Sequence, residues 1–330
     1  MSTERPAKRA RQEGELGRIQ RSKDYWFEDG SIVLQVESTQ FRVAKTMLAM
    51  HSAVFKDMLS LPRPATEEPL IEGCPLVVLS DSSEDWEHLL GAMYSKLWYS
   101  DPGDGAPTID QLAGVLRLSC KYDIPVFRER CATRLRTLLP STLEGYDDSE
   151  TALHEGNILH LPSPLPYFQL YTTLVKLARE VGLYSALPIL FYKLCVHTGS
   201  ESIINGDSLS ELSHADQVTC LRGRMKLFED FPKGPQKWMD PRNKIIPCLF
   251  CVDSECEEAV IERQSALLRS PRMMTAMLAE WPEALDGELC GDCAQVGKTA
   301  HEIRRVECWK ELPSYFGLPA WELLFKMDLI

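Results

Sequence analysis

The residues best suited to chemistry in this chain are cysteines near its C-terminal end. Six of the eleven cysteines lie within residues 248–330, and four of them form two C-x-x-C pairs, Cys248-Leu-Phe-Cys251 and Cys290-Gly-Asp-Cys293. A C-x-x-C turn can place two thiolates on one side of a tight loop, and two such turns complete a closed tetrahedral zinc site. The sequence therefore predicts a structural Zn²⁺ held by Cys248, Cys251, Cys290 and Cys293.

The spacing leaves other interpretations of these cysteines open. The 38 residues between the two pairs exceed the roughly 15–20 of a zinc ribbon, and a second set replaces Cys248 with Cys256. Cys308 and His301 also lie nearby in the sequence. Without a metal, the cysteines would be buried free thiols that act as small hydrophobic residues. A catalytic zinc is not expected, because no His/Glu ligand pair accompanies them. A thioredoxin-type role would need a βαβ unit that this region lacks.

The remaining cysteines and the known catalytic motifs give no sign of an active site. Five cysteines lie in apolar segments and are predicted to be core residues, namely Cys74, Cys120, Cys131, Cys195 and Cys220. No Gly-rich phosphate loop, H-E-x-x-H, G-x-S-x-G or kinase signature occurs. We therefore expect no catalytic residues and no cofactor apart from the zinc, and a protein that is not an enzyme.

Two polar clusters and one aromatic cluster each allow a functional and a structural interpretation. His154 and His160 flank a segment with Glu155, and acidic residues at 147–150 could bind a cation weakly, but solvated surface is the expected role of both. Four aromatic residues could form a docking patch, although their helical spacing beside leucines favours a core role: Trp309, Tyr315, Phe316 and Trp321.

Composition restricts the class of protein. The net charge of −12 over 330 residues argues against direct nucleic-acid binding, although the first 23 residues carry seven Lys/Arg against three Asp/Glu. No run of 18 apolar residues, secretory leader or N-x-S/T site is present, so we expect a cytoplasmic or nuclear protein with reduced thiols. The segment Pro6-Ala-Lys-Arg-Ala-Arg11 is either a short nuclear-import signal or a solubilising tail.

The N-terminal third shows alternating strand patterns followed by helical ones, which predicts an α+β domain. Strands are predicted at 31–37, 40–43 and 76–79, the last of them buried, and helices at 45–59, from Ser83, at 108–121 and at 125–139. The predicted core residues are those that repeat at strand or helix spacing: Ile32, Leu34, Phe41, Val43, Phe55, Leu79, Leu89 and Leu135.

The rest of the chain is predicted to be mainly α-helical, with no strand after residue 80. Apolar residues recur at steps of three and four from Phe168 to Ala178, residues 187–196 are apolar nearly all round, and Ser213-His-Ala-Asp216 resembles a capping box. The predicted organisation is a disordered basic tail (1–23), the α+β domain (24–139), a linker (140–164), a helical domain (165–240) and a helical cysteine-bearing region (241–330).

Several short phrases in residues 24–139 resemble the BTB/POZ domain, in the version found in many fungal proteins. They are Trp26-Phe-Glu-Asp-Gly-Ser31, Phe41-Arg-Val43, Ser52-Ala-Val-Phe55, Leu79-Ser-Asp-Ser-Ser83 and Tyr122-Asp-Ile-Pro125. The sequence departs from that pattern at Ala44 and Lys45, where His and then Arg are usual. Residues 165–330 also resemble the C-terminal half of those fungal proteins.

The resemblance implies a non-enzymatic module for protein–protein interaction. Self-association through the N-terminal segment and first helix, or recruitment of a partner, is the expected function, with Met47 and Met50 as candidate contacts. Two alternatives remain open: a substrate adaptor of a cullin ubiquitin ligase, and a nuclear transcription-regulatory scaffold. The partners expected are proteins, with no direct nucleic acid and no membrane. An enzyme within residues 165–330 is the weakest alternative.

Overall fold

Residues 19–61, 70–94, 106–154, 167–197, 209–251, 255–269 and 276–330 are described by a computed structural model of the chain. The predicted import signal at 6–11, most of the predicted loops at 61–69 and 101–107, and His160 lie outside the described residues. The chain divides into two compact units, the first comprising residues 1–104 and 110–128 and the second residues 105–109 and 129–330. This division falls before the domain boundary predicted at residue 139.

The first unit contains a five-stranded mixed sheet. Its strands are β1 (Gln20–Trp26), β2 (Ile32–Val36), β3 (Thr39–Val43), β4 (Leu70–Ile71) and β5 (Cys74–Leu79), in the spatial order β1-β3-β2-β5-β4. β2 and β3 form an antiparallel hairpin, whereas β1 runs parallel to β3, and β2 runs parallel to β5. Four of the five residues of the central strand β2 are buried.

Two predictions about the strands need correction. Residues 20–23, predicted as part of the disordered tail, form the first part of β1 and hydrogen-bond along β3. Residues 76–79, predicted as a buried strand, are only partly buried, and the Val78 side chain is 68% exposed. β5 lies beside the two-residue edge strand β4, so it is near the rim of the sheet, where less of a strand is covered.

The helices of the first unit are α1 (Lys45–His51), α2 (Ala53–Ser60), α3 (Ser83–Met93) and α4 (Ile109–Lys121). The next helix, α5 (Pro125–Leu138), begins in the first unit, and its residues from Glu129 onward belong to the second. The prediction of a single helix over 45–59 is wrong, because Ser52 interrupts it with extended backbone angles. The Ser52 hydroxyl accepts from the Phe55 amide at 3.0 Å and donates to the Tyr122 carbonyl. Ser52 is therefore the N-cap of α2, a role in which serine is favoured.

The core of the first unit centres on three aromatic side chains. The Phe55 ring stacks on Tyr122 at 4.9 Å between centroids and meets the edge of Trp86 at 5.8 Å. Seven of the eight predicted core residues are buried to 1% exposure or less, and Leu79 is half-buried. One of the seven, Leu135 of α5, belongs to the second unit. The alternation and three/four spacing therefore identified the core with one exception at the rim of the sheet.

Asp81 connects two segments that are 40 residues apart in the chain. Its carboxylate accepts hydrogen bonds from the Trp86 indole at 3.0 Å, from the Tyr122 hydroxyl and from the Lys121 ammonium. Burial raises the pKa of the Asp81 carboxyl, but these three donors outweigh it and hold the pKa below its usual value. Asp81 therefore favours the folded state when it is ionised.

Replacing Asp81 with Asn should lower the free energy of unfolding by about 1–2 kcal/mol at pH 7, because a charged acceptor with three donors is lost. A lowered folded pKa means that this stabilisation is full above the unfolded pKa of about 3.9 and disappears as the pH falls through the folded pKa. Urea unfolding of both proteins from pH 7 downwards measures the difference. A gap that stays constant below about pH 4 would contradict an ionised Asp81.

The second unit is formed by helices. They are α6 (Leu143–His154), α7 (Tyr167–Val181), α8 (Leu187–His197), α9 (His214–Asp230), α10 (Glu255–Arg269), α11 (Leu285–Glu288), α12 (Gly291–Tyr315) and α13 (Trp321–Met327). Short 3-10 helices occur at Tyr184–Ala186, Phe231–Lys233, Pro235–Met239 and Pro241–Asn243. No strand occurs after residue 80 in the described part of the chain, as predicted.

Several local signals in the second unit are confirmed. Gly182 ends α7 with a φ of +73°, α8 is buried over most of its length, and the Ser213 hydroxyl accepts from the Asp216 amide at 3.1 Å at the start of α9. In contrast to these local signals, the predicted linker at 140–164 contains a helix, α6, over much of its length. Tyr146 of α6 packs against Trp309 with ring centroids 5.8 Å apart, so α6 packs within the unit.

Candidate functional site

Four thiols converge in the second unit. Cys251 follows a turn closed by its amide, which donates to the Cys248 carbonyl at 3.0 Å. Cys256 is the second residue of α10, whereas Cys290 is the N-cap of α12 and Cys293 lies in its first turn. The sulfur atoms of Cys251, Cys256, Cys290 and Cys293 all lie within 4.8 Å of one another. This cluster, called here the thiol cluster, could hold a metal ion.

Backbone amides are directed at three of these sulfur atoms. The Cys290 amide donates to Cys256 Sγ at 3.2 Å, the Cys248 amide to Cys293 Sγ at 3.3 Å, and the Cys293 amide to Cys290 Sγ at 3.5 Å. A thiol sulfur is a weak acceptor, and an ionised acceptor forms the stronger bond. The positive end of the α12 dipole adds to this preference at Cys290 and Cys293. These amides therefore favour the thiolate form of the three sulfurs, and burial of the cluster opposes them.

The thiol cluster corresponds to the second set considered from the sequence, in which Cys256 takes the place of Cys248. The first turn of α10 places Cys256 beside Cys290. Cys248 is half-buried, and it meets the cluster through its amide and its contact with Cys293. The sequence spacing points to the two C-x-x-C pairs. It carries no signal that α10, which lies between the pairs in the sequence, brings Cys256 to the second pair.

The thiol cluster lies within a hydrophobic environment. Cys256 and Cys293 are 3% and 0% exposed, and Cys251 and Cys290 are half-buried. Buried neighbours surround the cluster: Trp238, Met239, Ile246, Val260, Leu285, Leu289 and Ala294. Donation from the Cys293 amide lowers the pKa of the Cys290 thiol, whereas burial raises the pKa of the Cys256 and Cys293 thiols. A cation would therefore be needed for Cys256 and Cys293 to ionise beside Cys290.

The other predicted candidates near the thiol cluster have different partners. The His301 ring lies 3.4 Å from the Trp238 indole nitrogen through Nδ1 and 2.9 Å from the Ala279 carbonyl through Nε2, so both ring nitrogens are engaged. Cys308 is 1% exposed, and burial raises the pKa of its thiol to about 11. Neither residue belongs to the cluster.

The acidic segment, the aromatic cluster and the other cysteines have structural roles. Asp147 pairs with the buried guanidinium of Arg305, so part of the acidic segment holds the unit together.

Trp309 and Trp321 stack with centroids 5.3 Å apart, and the Trp321 indole donates to the Trp309 carbonyl at 2.9 Å. All four aromatic residues predicted as core are buried. Of the other five cysteines predicted as core, four are buried and Cys120 is half-buried.

The first unit exposes apolar side chains on its first two helices. Met50 of α1 is 70% exposed and Val54 of α2 is 43% exposed, while Met47 is half-exposed. Leu48 and Phe55 on the opposite side of the same helices are buried. These exposed residues, called here the α1/α2 surface, could bury apolar area against another protein.

The first unit is an α+β domain with an exposed apolar surface. The second unit is helical and contains the thiol cluster. Residues 27–139 match the BTB/POZ domain family. The N-terminal part of this chain is therefore a BTB/POZ domain, which is a protein–protein interaction module. No curated protein and no solved structure matched the chain.

A helix that crosses a membrane must be both long and apolar, and the helices that the structure describes differ from that pattern. Within the described residues, none of them is both long enough and apolar enough to span a bilayer.

Proposed function

We propose that this chain is a non-enzymatic interaction protein whose BTB/POZ domain pairs with a second copy of the same chain through the α1/α2 surface. The observation that carries this proposal is the exposure of Met50, at 70%, beside the exposed Val54. Apolar side chains of this size release about 1.5–3 kcal/mol each when they are fully buried. A symmetric pair contributes every such residue twice.

Strand β1 is a second exposed element of the domain, and its sequence is unfavourable for pairing with another chain. β1 is an edge strand of the sheet, so one side of its backbone is available for pairing. It carries the exposed residues Arg21, Lys23 and Asp24, and its register with β3 shifts between Arg21 and Trp26. Charges and bulges on an edge strand oppose pairing with another strand. The helix surface is therefore the better supported contact.

Co-purification of two tagged copies tests the proposal. Full-length chains with two different affinity tags, expressed together, should be recovered in one complex through either tag. Met50→Glu should abolish this recovery because it would bury a charge in the contact. Val78→Glu is the matched control, since Val78 is 68% exposed on β5, outside the α1/α2 surface. Recovery that is unchanged by Met50→Glu would reject this surface.

The same purification separates the finer alternatives. Mass spectrometry of the complex would identify a cullin if the chain is a ubiquitin-ligase adaptor, or transcription factors if it is a nuclear regulatory scaffold. A complex that contains this chain alone would support self-association without either role.

We also propose that the helical unit binds a structural zinc ion through its cysteine thiolates. Four sulfur ligands suit Zn²⁺ or an iron–sulfur centre, and a site with four protein ligands leaves no open position for catalysis. The ion would stabilise the helical unit, which agrees with a protein that assembles partners and performs no chemistry.

A further inference from the structure

The thiol cluster joins two helices by their first turns. Cys256 lies at the start of α10, and Cys290 and Cys293 lie at the start of α12. Cys251 lies a few residues before α10. Two parts of the chain, one with Cys251 and Cys256 and the other with Cys290 and Cys293, therefore contribute to one site, and any ion bound there would fix them relative to one another.

We infer that the zinc of the proposed function, on which this inference rests, is held by Cys251, Cys256, Cys290 and Cys293 and clips the first turn of α10 to the first turn of α12. Cys248 is outside the ligand set. Its amide donates to Cys293 Sγ, so it supports the site by orienting a ligand.

The distances between the sulfur atoms fit this ion. Tetrahedral Zn–S bonds of about 2.3 Å place sulfur atoms roughly 3.8 Å apart, and all four sulfurs lie within 4.8 Å of one another. Contraction by about 1 Å or less would complete the coordination, which small rotations of the cysteine side chains can supply.

Free thiols are the competing explanation, and the amide hydrogen bonds oppose it. Three amides donate to sulfur atoms at 3.2–3.5 Å. Thiols in an ordinary core pack as small hydrophobic groups and need no such donors. Cys195 and Cys220 show the difference, because their sulfur atoms lie 3.9 Å apart as an isolated pair within the core. The thiol cluster instead brings four sulfur atoms together, and backbone amides donate to three of them.

The ion would stabilise the contacts around Trp238. The Trp238 ring lies 5.0 Å from Trp281, and Trp238 belongs to the same hydrophobic group as Cys256 and Cys293. Structural zinc contributes its binding energy to folding, and removal of such an ion unfolds the segments that it holds. Zinc removal should therefore expose these two indoles.

Metal analysis of the purified full-length chain is the first part of the test. The wild type should contain one zinc per chain, and a strong chelator should remove it with a red shift of tryptophan fluorescence. Cys248→Ser should retain the zinc, whereas Cys256→Ser should lose most of it. Cys308→Ser is the control for removing a buried thiol outside the cluster, and it should retain the zinc.

Visible spectra of bound Co²⁺ provide a second measurement in case Cys256→Ser does not fold. Histidine can replace a cysteine in a zinc site, so Cys256→His should bind Co²⁺ with a visible spectrum shifted from that of the wild type. Cys248→His should leave the spectrum unchanged. A shift in Cys248→His without one in Cys256→His would overturn the ligand set and keep the zinc. A wild-type chain that binds neither Zn²⁺ nor Co²⁺ would overturn the zinc proposal itself.

Discussion

Phe55→Ala should lower the free energy of unfolding of the first unit by about 3–5 kcal/mol, the usual cost of removing a buried phenylalanine. Phe55 is 1% exposed, and its ring contacts both Trp86 and Tyr122. The smaller side chain would leave a cavity bordered by two large aromatic rings that cannot easily collapse into it.

Denaturant unfolding of the full-length chain measures this effect, and hydrogen exchange in peptides from β2 and α3 assigns it to the first unit. Lys56→Ala is the matched control, because Lys56 is the exposed neighbour of Phe55 in α2. The control should change stability by less than about 0.5 kcal/mol. A loss below about 1 kcal/mol for Phe55→Ala would contradict the core assignment.

Gly223→Ala should destabilise the second unit by about 3 kcal/mol, at the upper end of overpacking effects. A β-carbon at this position of α9 would meet Phe316 ring atoms at 2.0 Å. Phe316 is 1% exposed and stacks on Phe191 at 5.6 Å, so its ring has little room to move. The clash should outweigh the gain of about 1 kcal/mol that Ala normally gives in a helix.

Gly287→Ala is the matched helical control. A β-carbon on Gly287 in α11 would have no atom within 4 Å, so the substitution should be neutral or stabilising by up to about 1 kcal/mol. Thermal and denaturant unfolding of both variants should therefore shift in opposite directions. If Gly223→Ala stabilised the protein as Gly287→Ala is expected to, the close approach of α9 and Phe316 would be wrong.

The sequence predicted the α+β domain because apolar spacing and local turn chemistry determine most of its elements. The sequence motifs that contain Asp81 and Tyr122 each resemble the BTB/POZ pattern. In the structure, the Tyr122 hydroxyl donates a hydrogen bond to the Asp81 carboxylate. The break at Ser52 was missed, because the apolar period continues across it. A tertiary hydrogen bond from Ser52 to the Tyr122 carbonyl causes that break, and such long-range contacts leave no periodic pattern.

The thiol cluster was predictable only in the part that depends on local turns. The C-x-x-C spacing predicted that Cys290 and Cys293 lie together, and both predicted ligand sets included Cys251. The approach of Cys256 depends on how α10 packs beside the start of α12, which is a tertiary contact. Helix α6, inside the predicted linker, depends on a tertiary contact in the same way, because the packing of Tyr146 on Trp309 stabilises it in a segment without a sustained apolar period.

Sedimentation equilibrium of the purified full-length chain is the sharpest test of self-association, since it measures mass without tags or labels. We predict a mass of twice the 37.4 kDa of one chain at micromolar concentrations, and a return to the single-chain mass for Met50→Glu. Val78→Glu should keep the doubled mass. A wild-type mass of 37.4 kDa at tens of micromolar would contradict self-association through the BTB/POZ domain.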